Sequence, residues 1–255
     1  MGVEKSRRLA LEVDILGMKE FKKLSIIVPV YNEEKTLRKL ISAVEAVDLP
    51  LKKEIIFVDD GSTDKSREIL KEFMGRYKVI LLDKNSGKGT AIRKGFKEAM
   101  GDIVLVQDAD LEYNPKEYPI LFQPILDGDA DVVYGSRFIT AFPRRILYFP
   151  HYVGNVFVTF LSNLLTGLNL SDMETGYKVF TGKAVKEILP CLKAKRFGIE
   201  PEITAQVAKH KFRVYEVGIS YKGRTYQEGK KINWKDGLAA IWHIVRFNLF
   251  TKCKK

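Results

Sequence analysis

Glu54-Ile55-Ile56-Phe57-Val58-Asp59-Asp60-Gly61-Ser62-Thr63-Asp64 holds the pattern that decides the fold: a short apolar run, rich in β-branched residues, that stops abruptly at acids and a glycine. Such a run is the signature of a strand buried on both faces, and the residues after it form its exit loop. Upstream, Leu24 to Val30 repeats the run and exits through Pro29-Val30-Tyr31-Asn32-Glu33-Glu34. Downstream, Val79 to Leu82, Asp102 to Val106 and Ala130 to Tyr134 repeat it again, the fourth run exiting through Gln107-Asp108-Ala109-Asp110-Leu111-Glu112. Helical spacing fills the intervals: Leu37, Leu40, Ile41 and Val44 share one face, as do Ile69, Leu70 and Phe73, then Ile92, Gly95, Phe96 and Ala99. Strand alternating with helix predicts an α/β fold with a mostly parallel central sheet flanked by helices. In such sheets ligands sit outside the carboxyl ends of the strands, where three acidic exits converge.

The 255 residues suffice for a full core, with 45% hydrophobic and 29% charged residues. Lysine and arginine outnumber aspartate and glutamate 43 to 32, and the formal charge of +11 favours anionic partners: nucleic acid, anionic lipid or phosphorylated small molecules. Cys191 and Cys253 lie far apart and have no histidine at ligand spacing, so neither zinc nor a disulfide framework is expected and a reducing compartment fits. Glu12, Asp14 and Lys19 interrupt any apolar core in the first 23 residues, which read as an amphipathic arm, not a secretory signal.

Gathered carboxylates call for a cation, and hard divalent ions take oxygen ligands completed by phosphate. Asp108 and Asp110 are two apart, so in an extended chain both point to one side, and Glu112 continues the spacing as a weaker third ligand. Any single aspartate after a strand is as readily a helix cap; three acidic exits together are harder to dismiss. Asn85-Ser86-Gly87-Lys88-Gly89 follows the third strand and opens a helix, a suitable anion or ribose site. It lacks the upstream glycine of a P-loop, and Ile92 stands where a dinucleotide fingerprint needs its third glycine.

With Val28 to Glu33, Val58 to Asp64 and Asp108 to Asp110 in this order, the chain resembles the family 2 glycosyltransferases from about Leu24 to Lys231. That resemblance implies the GT-A nucleotide-diphospho-sugar transferase fold. It implies that Pro29, Tyr31 and Glu33 surround the nucleoside and that Asp59 or Asp60 contacts base or ribose, with Lys88 and Gly89 in the nucleotide site. Asp108 and Asp110 correspond to the pair that holds Mg2+ or Mn2+ against the donor diphosphate, where charge develops as the sugar-phosphate bond breaks.

Ile146 to Leu170 contains no charged residue apart from the titratable His151, and Val153, Val156, Phe157, Phe160, Leu164 and Leu165 follow helical spacing. Its asparagines and Pro150 suit a lipid core poorly, so a helix lying on a membrane is favoured over core packing, and a spanning helix comes third. The end of the chain adds a face of Trp234, Leu238, Ile241, Trp242, Val245 and Leu249, with Arg246, Lys252, Lys254 and Lys255 for anionic headgroups. Residues 232–255 are therefore expected to form a membrane-surface helix, and the whole to act peripherally at the cytoplasmic face.

These features resemble the polyprenyl-phosphate hexosyltransferase branch of the family, typified by dolichyl-phosphate mannose and dolichyl-phosphate glucose synthases, though without a convincing anchor. Asp172 to Lys178, Glu200 to Glu202 and Arg224 to Lys231 look like that branch's acceptor side. Arg137, Arg144, Arg224 and Lys231 are the candidate phosphate ligands, and Asp110, Arg137 and Arg224 the catalytic ones. The implied partners are a nucleotide-sugar donor, with UDP-glucose slightly favoured over GDP-mannose, a polyprenyl or dolichyl phosphate acceptor, and possible support from a small membrane-anchoring subunit. Transfer to a sugar hydroxyl, with Asp172 or Glu174 as base, is the chief alternative. A nucleotidyltransferase is a further one, and a nucleic-acid module is disfavoured because the basic residues are dispersed and no binding motif accompanies them.

Overall fold

A computed structural model of the chain describes residues 21–139, 142–146, 148–225, 227, 234–251 and 253. Seven strands make one sheet in the order β3-β2-β1-β4-β6-β5-β7: β1 (Lys23–Val30), β2 (Lys52–Asp59), β3 (Lys78–Leu81), β4 (Ile103–Val106), β5 (Val132–Ser136), β6 (Lys178–Thr181) and β7 (Val214–Gly218). β1 to β4 pair in parallel, and β5 pairs in parallel with β7. Antiparallel β6 is inserted between β4 and β5. The five expected strands are present within a residue or two, whereas β6 and β7 had no clear sequence signal. β6 is only four residues long and emerges directly from the Asp172 to Tyr177 loop.

Both sheet faces are covered, which is why the strands read as continuous apolar runs. Ile26, Val28, Ile55 and Phe57 meet α1 (Leu37–Glu45), α2 (Ser66–Glu72) and α4 (Tyr118–Leu126) on one side. Ile27, Ile56 and Val58 meet α3 (Lys88–Glu98) and the later helices α5 (Phe149–Thr166), α6 (Gly182–Ile188), α7 (Ile199–Lys209) and α8 (Trp234–Val245) on the other.

α5 is partly outside this core. Val158, Thr159 and Ser162 are its buried residues, while Phe149, Val153, Val156, Phe157, Phe160 and Leu164 are exposed. α8 packs against α5 and α7 and continues into a π-helical turn, Arg246–Phe250. Ala240, Ile244 and Phe247 are buried, and Leu238, Trp242, Leu249 and Phe250 face outward. Among the described residues no helix is long and apolar enough to cross a membrane. Residues 1–20 of the expected N-terminal arm, Lys231, Lys252, Lys254 and Lys255 lie outside the described residues, as does the side chain of Trp234.

The cysteine expectation is corrected. Cys191 and Cys253 are joined in a disulfide, with Cα atoms 4.9 Å apart, because the C-terminal turn folds back beside the 3-10 turn Leu189–Cys191. A separation of 62 residues gave the sequence no means of showing that proximity.

Candidate active site

Where the carboxyl ends of β1, β2 and β4 meet, a cleft of about 460 Å³ opens. Its lining includes Pro29, Tyr31 and Glu33 from the exit of β1, Asp60 from β2, Asn85, Gly87 and Lys88 after β3, and Asp108, Asp110 and Glu112 after β4. From the second half of the chain come Arg137, Glu174, Gly176, Arg196, Phe197, Glu200, Tyr221 and Arg224.

Asp60 organises the glycine loop: its two oxygens accept the backbone N–H groups of Ser86 (2.8 Å) and Gly87 (2.7 Å), and burial raises its pKa against those bonds. Gly87 has φ +96°, and a Cβ there would strike the Lys195 carbonyl and the Arg196 side chain. Lys88, at the start of α3, reaches across to Asp108 (2.8 Å) and Glu200 (3.0 Å). Burial opposes the charge on Lys88, but these two carboxylates outweigh it and hold the ammonium well above its ordinary range.

β4 ends at Val106, so Asp108 and Asp110 lie on a turn instead of an extended strand, yet both reach the cleft. Burial, reinforced by Asp108 and Glu112, pushes Asp110 up to about 7, while Arg224 pulls the other way. Arg224 gathers three acids: Glu33 (3.1 Å), Asp110 (3.3 Å) and Glu112 (3.5 Å). Arg137 makes a two-pronged pair with the fully buried Asp172, Nε to Oδ2 at 2.6 Å and Nη2 to Oδ1 at 2.7 Å, and lies 5.1 Å from the centre of the Tyr221 ring.

Buried Lys178 donates to the carbonyls of Met173 (3.0 Å) and Thr175, closing the Asp172 to Lys178 loop. Burial lowers Lys178 to about 8 against the pull of Glu200 and Glu174. Glu174 is pushed up to about 8 by burial and by Glu200, with Lys178 and Arg137 opposing. Gly176 lets this loop approach β4, since a Cβ there would collide with Asp108.

Several expected site residues either lie outside the cleft lining or are held by other partners. Asp59 is fully buried, with Arg67 Nε 3.3 Å away and the Ser62 N–H over its carboxylate, so it holds the β2 exit and does not line the cleft. Gly89 serves packing: a Cβ there would meet the Ala194 carbonyl. Arg144 donates to the Arg137 carbonyl (3.1 Å) and is exposed outside the cleft lining. Glu112 does not extend the carboxylate pair. Leu111, at φ +60°, breaks the alternation, and the Glu112 oxygens accept from Tyr221 Oη (2.7 Å) and the Arg224 backbone N–H (2.7 Å). Among the described residues no three acidic, histidine or cysteine side chains surround one point as metal ligands.

Tyr113, Arg196, Phe197 and Tyr221 were not foreseen. Arg196 and Phe197 sit in a segment without periodicity, brought to the glycine loop only by the fold; Thr90 donates to the Lys195 carbonyl at 3.0 Å. Tyr113 and Tyr221 could be suspected only from their nearness to Glu112 and Arg224 in sequence.

The lining holds seven carboxylates, Glu33, Asp60, Asp108, Asp110, Glu112, Glu174 and Glu200, against four cations, Lys88, Arg137, Arg196 and Arg224. An anionic ligand would enter this cleft favourably only with a cation of its own; Asp110 is raised mainly by burial, to which the neighbouring charges of Asp108 and Glu112 add. The oxygen-only Asp108 and Asp110 pair suits a hard divalent ion completed by ligand phosphates.

Parallel strands whose acidic exits face a glycine loop, with one antiparallel strand inserted, define a GT-A nucleotide-sugar transferase fold. Glucosyl-3-phosphoglycerate synthase from Mycobacterium tuberculosis, solved with Mn2+, uridine diphosphate and phosphoglyceric acid, shares it with a TM-score of 0.69 and 18% identity, over 91% of this chain and 80% of that one. The chain belongs to glycosyl transferase family 2, whose model matches residues 25–189, and it is a glycosyltransferase.

Among its relatives, a UDP-N-acetylglucosamine–dolichyl-phosphate N-acetylglucosaminyltransferase of Methanococcus voltae is 27% identical, over 89% of this chain and 97% of that protein. A dolichol-phosphate mannosyltransferase of Pyrococcus furiosus is 40% identical over 46% of this chain, and the match spans 34% of that longer protein.

Proposed function

We propose that this enzyme transfers a hexosyl group from a nucleotide-diphosphate sugar to a polyprenyl or dolichyl phosphate, with inversion, while bound peripherally to the cytoplasmic face of a membrane. The relatives that act on dolichyl phosphates support this reading. The observation that carries it is the continuity between the charged cleft and an exposed apolar surface. Arg137 lines the cleft, the next residue Phe138 packs edge-on against Tyr152 of α5 at 5.4 Å, and Tyr152 leads to the outward face of Phe149, Val153, Val156, Phe157 and Phe160. An acceptor with a phosphate head and an isoprenoid tail matches that juxtaposition, and a water-soluble acceptor would leave the apolar half unused.

Asp108 and Asp110 would hold Mg2+ or Mn2+, which would neutralise the leaving diphosphate. Tyr31, Glu33 and Asp60 would border the nucleoside, and Lys88 is positioned to turn from Asp108 toward a phosphate oxygen. Arg137 keeps donors beyond the two given to Asp172, and Arg224 sits at the carboxylate pair; together they would steady the entering and departing phosphates. A phosphate oxygen of the acceptor attacks the anomeric carbon as the bond to the diphosphate oxygen breaks, and the electron pair leaves with the nucleotide. A phosphate monoester is already anionic at neutral pH, so no base is required. The catalytic unit is assigned to residues 24–231 and the membrane-surface segment to 232–255.

A second reading, transfer to a sugar hydroxyl, draws on Glu174, whose raised pKa near 8 suits a base. Asp172 is unavailable for that role because Arg137 occupies both its oxygens. Purified protein incubated with a short polyprenyl phosphate, UDP- and GDP-hexoses and Mg2+ or Mn2+ should yield a polyprenyl-phosphate hexose by mass spectrometry, lost in D108N/D110N. Product formed only on glycolipid hydroxyls, and abolished by E174Q, would replace the first reading with the second.

A further inference from the structure

Lys178 opens β6 at a place suited to an apolar side chain. Its neighbours across the sheet are Val106 and Tyr134, and the residues after it, Val179 and Phe180, are fully buried. The side chain itself is 2% exposed, with Nζ 4.9 Å from the centre of the Tyr134 ring. An ammonium taken out of water at such a place costs free energy that the strand itself does not return. What the ammonium meets is a loop: it donates to the carbonyls of Met173 (3.0 Å) and Thr175.

That loop touches both sides of the reaction. At its start Asp172 takes the guanidinium fork of Arg137 (2.6 and 2.7 Å), the residue assigned to the entering phosphate. The Met173 N–H donates to Oγ1 of Thr159, on the buried side of α5 (3.2 Å). Near the end of the loop the Gly176 N–H donates to Tyr113 Oη (2.7 Å), and Gly176 lies so close to Asp108 that a Cβ would collide with its carboxylate. Asp108 is assigned to the cation on the leaving diphosphate. The two carbonyls that Lys178 holds lie between these ends.

We infer that Lys178 is a positioning residue for the transfer: through the carbonyls of Met173 and Thr175 it fixes one loop, and the loop fixes Arg137 relative to Asp108. The inference rests on the transferase reading above and adds a residue that does not itself line the cleft. In-line displacement needs the entering oxygen, the anomeric carbon and the leaving oxygen held in register, and a misplacement of about 1 Å caused by a remote change can cost on the order of 100-fold in rate. The strand exits and the glycine loop border the donor independently of Lys178, so a slack loop lowers turnover more than it weakens donor binding.

K178M keeps the length of the side chain and suits the apolar surroundings, but takes the donor away from both carbonyls. Hydrogen exchange of the full chain, read amide by amide by NMR, should show Gly176 exchanging at least about tenfold faster in K178M while Val179 and Phe180 stay within about twofold of the wild type. In the polyprenyl-phosphate assay kcat should fall about 100-fold while the KM for the sugar nucleotide stays within about threefold. Unchanged exchange at Gly176, a kcat within about threefold of the wild type, or a loss carried by KM instead of kcat would overturn the role. Faster exchange throughout β4 and β6 would reduce Lys178 to a residue of the general fold and overturn it as well. Should K178M fail to fold, the wild type decides: Gly176 must be protected to within about tenfold of Val179, and free exchange there would refute the clamp. If the wild type makes no polyprenyl-phosphate hexose, that acceptor reading falls by itself, and the same comparison of kcat and KM on the hydroxyl acceptor of the second reading decides the positioning role.

Discussion

Replacing Arg137 by alanine tests whether this side chain is a solvated charge or one half of a buried pair. Asp172 is fully buried, and the guanidinium gives it two bonds of 2.6 and 2.7 Å, leaving only the Arg137 backbone N–H at 3.1 Å once the side chain is gone. Removing one partner of such a pair costs about 3 to 5 kcal/mol, because the other stays buried and uncompensated. The loss of contacts with the rings of Tyr221 and Phe138 adds to this. For a chain of this length about 4 kcal/mol corresponds to a fall of roughly 10 °C in melting temperature. Urea unfolding followed by far-ultraviolet circular dichroism measures the free energy, and the R137A/D172A double variant isolates the coupling between the pair. Destabilisation of R137A by less than about 0.5 kcal/mol, the range of ordinary surface changes, would show that the pair does not organise the cleft.

Burial raises Glu174 to about 8 from an ordinary value near 4.5, so between those values the folded state binds more protons than the unfolded one and this group's stabilising contribution falls as pH rises. Urea midpoints should therefore show the wild type losing stability relative to E174Q from about pH 5 to pH 8; parallel curves would contradict the shift. The disulfide closes a loop of 62 residues, and in the chain-entropy picture its reduction should cost up to about 4 kcal/mol; an unchanged unfolding midpoint in C253S would show that the link does not stabilise the fold. Replacing the exposed Phe160 and Leu164 by glutamate should abolish sedimentation with anionic vesicles at unchanged melting temperature, and retained binding would move the membrane contact elsewhere.

The acidic exits were legible because the chain leaves each strand at its carboxyl end, so residues 54 to 64 and 107 to 112 could be assigned to one sheet edge without knowing how helices pack. The finer assignments failed where a side chain's direction depended on backbone that was no longer extended. Glu112 follows a left-handed Leu111 and turns to Tyr221 and Arg224, while Asp59 points back into its own exit turn toward Arg67. The apolar face of α5 was legible from spacing, since helical periodicity fixes which residues share a side. Its exposure was favoured over core packing by the asparagines and Pro150 of the segment, not by spacing, and Phe149, Val153, Val156, Phe157, Phe160 and Leu164 are exposed.

The sequence by itself determined the layered α/β plan, the sheet edge that carries the chemistry and the pairing of acids with a glycine loop, all consequences of local periodicity. Only the tertiary structure decided that Arg196 and Phe197 border the glycine loop, that Glu200 shares Lys88 with Asp108, and that Cys191 meets Cys253. Those contacts join residues far apart in the chain, and their geometry is set by how helices settle on the sheet, a property of packed volumes that no run of neighbouring residues contains.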